Sequence, residues 1–181
     1  KIDDIKNESQ YPKANFYSFN LPRYDMVFFN TEHDIFKDKE VRQKIARGEK
    51  LDSEIKATVV VLDNEENHKK LEELGQVWAE QGLNTEVFYK SANDLIGNII
   101  PNRDYDILVY GLDYGYDPDP YPFWHSTQSG STGFNLSNFS NIDADVLLED
   151  ARKTANQDER NQKYEEFWNI FNDEVPAYII Y

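Results

Sequence analysis

The chain has 181 residues, and its 19 Lys and Arg against 34 Asp and Glu leave a formal charge of −15 at pH 7. A field of that sign repels phosphate backbones and anionic bilayer surfaces, which argues against nucleic acid as a partner. There is no cysteine, hence no disulfide or thiolate chemistry, and no apolar run long enough to span a bilayer, while 39% apolar and 14% aromatic residues suffice for a sizeable core.

Residues 1–14 are polar and read as a loosely attached tail, and residues 15–181 as a single α/β lobe. Asn15 to Asn20 and Tyr24 to Asn30 are expected strands joined by Leu21-Pro22-Arg23, the second largely apolar as in a buried strand. Asp38 is placed to cap a short helix carrying Val41 and Ile45 on one face and ended by Gly48. A charged connection, Glu49 to Lys56, leads to the β-branched strand Ala57 to Leu62.

Asp63 with Glu66 resembles a capping box for a helix whose Leu71, Leu74 and Trp78 share one stripe, and Gly82 stops it. Thr85 to Tyr89 is the next strand. Ser91 opens a short helix through Leu95, Ile99 and Ile100, which Pro101-Asn102 breaks before the strand Tyr105 to Tyr110. Strand, helix, strand, helix, strand is the rhythm of parallel βαβ units. A Ser/Gly/Asn-rich run, Ser126 to Asn141, reads as a long loop. Helices Asp143 to Ala155 and Asp158 to Asn172 follow, then a final strand, Ala177 to Tyr181.

The segment from Val109 to His125 leaves its strand for glycine, proline, aromatics and carboxylates. In open α/β sheets ligands bind in the crevice beyond the carboxyl ends of strands, and aromatic faces beside carboxylates suit a sugar, a peptide or a cation. A proline-stiffened surface turn is the plainer reading. Trp124 suits a core anchor better than a stacking platform, His125 suits a bond to its own loop better than a ligand contact, and Trp78 and Trp168 lie on apolar helix stripes.

His33, His68 and His125 have no helical ligand spacing, so no metal site is expected, and no glycine pattern cradles a nucleotide phosphate. No nucleophile elbow is present. Asp113 paired with Asp117 or Asp119 would serve a small glycan-active hydrolase, the alternative reading.

Four blocks in order resemble family 5 extracellular solute-binding proteins, the oligopeptide- and dipeptide-binding subunits of ABC importers. Phe28-Phe29-Asn30-Thr31 and Phe36 to Ile45 are similar to the family's FNT and VRQAI block. Asp104 to Ile107 with Gly111, Asp119 and Pro120 are similar to its FD, GW and DP block. Asn135, Asn141, Asp143, Leu147-Leu148 and Arg160 to Tyr164 resemble a third, and Val175-Pro176-Ala177-Tyr178 the terminal one.

The resemblance covers about residues 24–181 and implies a type II periplasmic-binding-protein-like lobe, a mixed sheet with βαβ units flanked by helices. It implies the C-terminal lobe of a two-lobe receptor, with a shortened connection at 48–56 and the N-terminal lobe missing. It further implies no catalytic residue, no cofactor, and as partners a peptide or small-molecule solute, that missing lobe and a membrane permease. The setting would be extracellular, as a cell-surface lipoprotein or in a periplasm, with the export signal upstream of Lys1. The ligand contacts expected are Asp113, Tyr114, Tyr116, Asp117 and Trp124, with Asn30 near the hinge. Tyr116 falls where peptide-binding members place the aspartate that anchors a ligand's α-amino group, which leaves sugars, modified peptides and other small solutes open.

Overall fold

The computed structural model describes residues 23–113 and 119–180. The expected tail and the expected strand from Asn15 lie outside them. Five strands form one mixed sheet in the order β3-β2-β4-β1-β5: β1 Arg23–Phe29, β2 Ile55–Leu62, β3 Leu83–Lys90, β4 Ile107–Asp113 and β5 Ala177–Ile179. β2 pairs in parallel with β3 and β4, as the alternating sequence rhythm predicts. β1 runs antiparallel to both β4 and β5.

The period-two alternation of side chains builds a core on each face. Met26 and Phe28, Val60 and Leu108 point to one side, where α7 (Ile142–Lys153) and α8 (Gln157–Glu174) cover them with Leu148, Phe167 and Phe171. Val27 and Phe29, Val59 and Val61, Ile107 and Val109 point to the other. There they meet Phe36 of α1 (Asp34–Lys37), Ile45 of α2 (Lys39–Arg47), and Leu71 and Trp78 of α3 (Glu65–Gln81). Both helical stripes read from the sequence are therefore the buried ones.

Asp38 caps α2 by accepting the Glu40 N–H, and Gly48 closes it in the left-handed region at φ 75°. At α3 the cap is Asn64 rather than Asp63: its side chain accepts the Asn67 N–H at 2.8 Å. The Asp63 N–H instead donates to the Lys90 carbonyl, which extends the strand by a residue and delays the helix start. Ser91 caps α4 (Ala92–Asp94), which passes through a π turn at Leu95–Ile99 into α5 (Ile100–Asn102). Pro101 sits within that last turn, and Arg103 at φ 53° ends it.

β4 begins at Ile107, later than the expected Tyr105, because Tyr105 is drawn into the core with its hydroxyl donating to the Leu136 carbonyl at 2.8 Å. Burial raises the pKa of that phenol. Within the expected long loops the chain forms one further turn, α6 (Tyr121–Trp124), and a 3-10 turn at Ser126–Gln128. Asn141 and Asn156 cap α7 and α8, each accepting two backbone N–H groups.

Candidate functional site

The parallel strands β2 and β4 end side by side, with β5 running the same way and the start of β1 between β4 and β5. Beyond these ends lies a groove of about 750 Å³ whose walls include Tyr24 and Asp25, Asn64 and Lys70, Tyr110 and Asp113. Each comes from an element that the sheet order brings to this edge. Tyr24 and Asp25 sit opposite Leu112 and Gly111 in the β1–β4 register, and Asn64 and Lys70 belong to the start of α3, which follows directly from β2.

The groove is polar and charged. Lys70 makes a close ion pair with Asp25 and lies 3.6 Å from Glu66, with 21% and 33% of the Lys70 and Asp25 side chains exposed. Among the described residues lining the groove, Lys70 carries the one basic side chain, against the carboxylates of Asp25, Glu66 and Asp113. Tyr24 presents 40% of its surface to solvent. Carboxylates, an ammonium, amides and phenol faces together suit a solute with a polar backbone and both signs of charge.

The structure brings only part of the expected set to this groove. Asp113, the exposed last residue of β4, lines it. Tyr114, Tyr116 and Asp117 lie outside the described residues. Trp124 has no accessible surface; its ring stacks at 5.9 Å on Phe28 and meets Phe171 edge-on at 4.5 Å, so it anchors the core. Asn30 is at the opposite end of β1, about 20 Å away along the strand, and is 1% exposed.

Asn30 is the centre of a buried amide network. Its Nδ2 donates to the carbonyls of Arg103 and Tyr105, both at 3.1 Å, and its Oδ1 accepts from Asn138 Nδ2 at 3.0 Å. Thr31 donates to the carbonyls of Ser137 and Asn138, and Ser137 donates to the Pro176 carbonyl at 2.9 Å. Asn135, fully buried, bridges Phe139 and the His125 carbonyl. Arg42 donates to the carbonyls of Phe36, Lys37 and Glu174 and to the Glu174 carboxylate, closing the end of α8. Asn30, Thr31, Arg42 and Asn135, all residues of the four sequence blocks, thus hold segments to one another.

Beside this network, Asp106 accepts from the Thr58 N–H and hydroxyl, both at 2.7 Å, and faces His33 Nδ1 at 2.8 Å. Burial pushes its pKa up, but the bonds from Thr58 and His33 outweigh that and hold the carboxyl below its ordinary value.

Asp119, a partner in the hydrolase alternative, has both oxygens engaged: one accepts the Tyr121 N–H at 3.0 Å, the other faces Arg152 Nε at 3.1 Å. Such a carboxylate is poorly placed to exchange protons with a substrate. His125 is 3% exposed and its Nδ1 accepts the Thr127 N–H of its own loop at 3.1 Å. No cluster of three or more potential metal ligands occurs among the described residues. Among them, too, no helix is long and apolar enough to cross a membrane.

Tyr24, Asp25 and Lys70 line the groove and are not among the ligand contacts expected from the sequence. The signal for the first two is their position at the start of the strand that pairs with β4, a pairing that only the topology reveals.

No protein-family model matches the chain. Over 81 residues, 45% of this chain and 15% of the relative, it is 30% identical to the oligopeptide-binding protein AppA of Bacillus subtilis. The structure of that AppA in complex with a nonapeptide superposes with a TM-score of 0.77 at 16% identity, over 89% of this chain and 45% of the other. The ABC transporter substrate-binding protein CtaP of Listeria monocytogenes gives 0.77 at 23% identity, over 92% and 44%. The murein tripeptide-binding protein MppA of Escherichia coli gives 0.78 at 15%, over 96% and 45%. The chain therefore spans less than half the length of these solved relatives. They are binding proteins rather than enzymes, in keeping with the non-enzymatic reading of the sequence. In fold the chain is a periplasmic-binding-protein-like α/β lobe, and its resemblance to the family 5 solute-binding proteins of ABC importers is borne out by a stretch of sequence and by the architecture.

Proposed function

We propose that this chain is the C-terminal lobe of a two-lobe receptor that binds a peptide or other small solute for an ABC importer. The observation that carries the reading is the groove of about 750 Å³ at the carboxyl ends of β2 and β4, lined by charge and phenol faces and open on one side. A one-sided groove encloses a solute poorly, and a facing N-terminal lobe would complete it. Closure of the two lobes about a hinge would then present the loaded form to a membrane permease, on the extracellular side of the membrane or in a periplasm. Tyr24, Lys70 and Asp113 would face the solute, with Tyr114, Tyr116 and Asp117 following Asp113 in the chain. Trp124 and Asn30 would support that wall from behind and from below.

Isothermal titration of a tripeptide and a nonapeptide into the chain alone, and into a two-lobe protein carrying the upstream coding segment, tests this reading. The chain alone is expected to bind no tighter than about 100 μM, and the two-lobe protein at least about a hundredfold tighter. Micromolar binding by the single lobe would overturn the half-site assignment. Absence of binding by the two-lobe protein to peptides of any length would overturn the peptide reading.

A further inference from the structure

Among the described residues the sheet ends in two edge strands of different kinds. β5 has three residues, too few to template a further strand. β3 has eight, Leu83–Lys90, with no proline and an unbroken register against β2. The Gly82 carbonyl accepts from Ile55 and the Lys90 carbonyl from Asp63, so the even-numbered residues turn their backbone groups towards β2. Leu83, Thr85, Val87 and Tyr89 therefore turn theirs outward, where no strand pairs with them among the described residues.

The side chains of this edge divide between the two faces. Val87 and Tyr89 pack against the core beneath α3, and His68 stacks on Tyr89 at 3.7 Å. On the other face Asn84, Glu86 and Phe88 are exposed, Phe88 by 38%. Among the described residues Glu86 has no basic partner. Lys90 lies 5.9 Å from the centre of the Phe88 ring and reaches Asp94 only at 3.8 Å. An acid, a phenylalanine and a base thus follow one another on one face, and that order is its own complement when the strand is reversed.

We propose that the outer edge of β3 is a self-association surface: a second copy of this chain adds its own β3 antiparallel, about a twofold axis at Phe88. That register sets Glu86 against Lys90 of the second copy on both sides of a Phe88 pair. It also lets the outward groups of Val87 and Tyr89 exchange backbone hydrogen bonds across the seam. An axis at Val87 would set Glu86 against Phe88, and one at Glu86 would set that carboxylate against itself, which cross-strand pairing disfavours. The axis at Phe88 alone matches both charges. The surface is separate from the cleft, since β3 contributes no residue to the groove, and the proposal stands whether or not the cleft reading does.

Sedimentation velocity of the chain at about 0.15 M salt tests it. The strand is short and a charge of −15 repels the two copies, so a dissociation constant on the order of 100 μM is expected. Glu86→Lys should weaken the dimer about tenfold, although it makes the chain less acidic and by net charge alone would tighten it. Lys90→Glu should weaken it as much, and the two substitutions together should restore it to within about twofold. Because the chain has no cysteine, a disulfide reads the register directly. Phe88→Cys should cross-link the dimer on oxidation, its two copies lying in a non-hydrogen-bonded pair where side chains come closest, whereas Glu86→Cys should not. A monomer at every concentration would overturn the proposal and leave the edge to a strand of some other protein. A dimer that Glu86→Lys leaves intact, or that cross-links through Glu86→Cys instead, would overturn it in favour of another face or another register.

Discussion

The two ends of the sheet are built on opposite principles. At the end where β1 finishes and β4 begins, Asn30, Thr31, Asn135, Ser137 and Asn138 are polar, largely buried and bonded to carbonyls or to one another. At the other end, around Tyr24, Asp25, Lys70 and Asp113, the polar groups face an open groove. A buried amide must find its partners in the protein or cost the fold its desolvation, so residue identity is tightly constrained there. A groove-facing side chain has water as an alternative partner and is free to follow the solute. The closed end therefore holds Asn30, Thr31 and Asn135 of the recognisable blocks, and on the cleft reading proposed above the open end would carry the discrimination.

The sharpest way to break this comparison is at the closed end. Arg42 is 2% exposed, and its guanidinium satisfies four carbonyls, those of Phe36, Lys37, Glu174 and Val175, and the Glu174 carboxylate. Arg42→Ala would leave those acceptors without their donor at the ends of α1 and α8, the latter closed by Val175 at a left-handed φ of 47°. A loss of about 3–5 kcal/mol is expected in urea unfolding. Asn30→Ala follows at about 2–3 kcal/mol, since it strands the Arg103 and Tyr105 carbonyls and the Asn138 amide together. A loss under 1 kcal/mol for both would mean that this end is not the fold's keystone.

The same contrast explains what could be read in advance. Strands with β-branched or alternating apolar residues, such as Val59 to Val61, and helix ends at Gly48 and Gly82 are local signals, so their elements were legible. The shift from Asp63 to Asn64 as the α3 cap was not, because it depends on a bond to Lys90 in a strand still to come. Asn30 and Trp124 looked like site residues because asparagine and tryptophan serve ligands and cores with the same atoms. What separated the roles was register: β1 runs antiparallel to β4, and that direction puts Tyr24, not Asn30, beside Asp113. No local pattern encodes a strand's direction.

Asp106 sharpens the comparison through pH. Its pKa is lowered in the folded state by Thr58 and His33 against the cost of burial. A group with a lowered folded pKa contributes stability that is full above its unfolded value and is lost as pH falls through the folded one. The contribution should thus be complete at pH 7 and fade below about pH 4. Asp106→Asn is expected to cost about 1–2 kcal/mol at pH 7 and progressively less towards pH 3, read from urea midpoints across that range. An equal cost at both pH values would locate the effect in packing rather than in the carboxylate.

At the open end the expected cost to the fold is smallest and the expected effect on solute is largest. Lys70 pairs with Asp25 across partly exposed surface, and pairs of that kind contribute about 0–1 kcal/mol. Lys70→Met keeps much of the apolar stem that packs along the groove while removing its one ammonium among the described lining residues. Urea unfolding should therefore move by less than about 1 kcal/mol. In the two-lobe protein, however, the groove would be left with carboxylates alone, so an acidic tripeptide should lose more affinity than a basic one of the same length. If calorimetry found both peptides weakened equally, Lys70 would shape the wall without reading charge. If urea unfolding moved as far as it does for Asn30→Ala, the division between a closed end that holds the fold and an open end that meets the solute would fail.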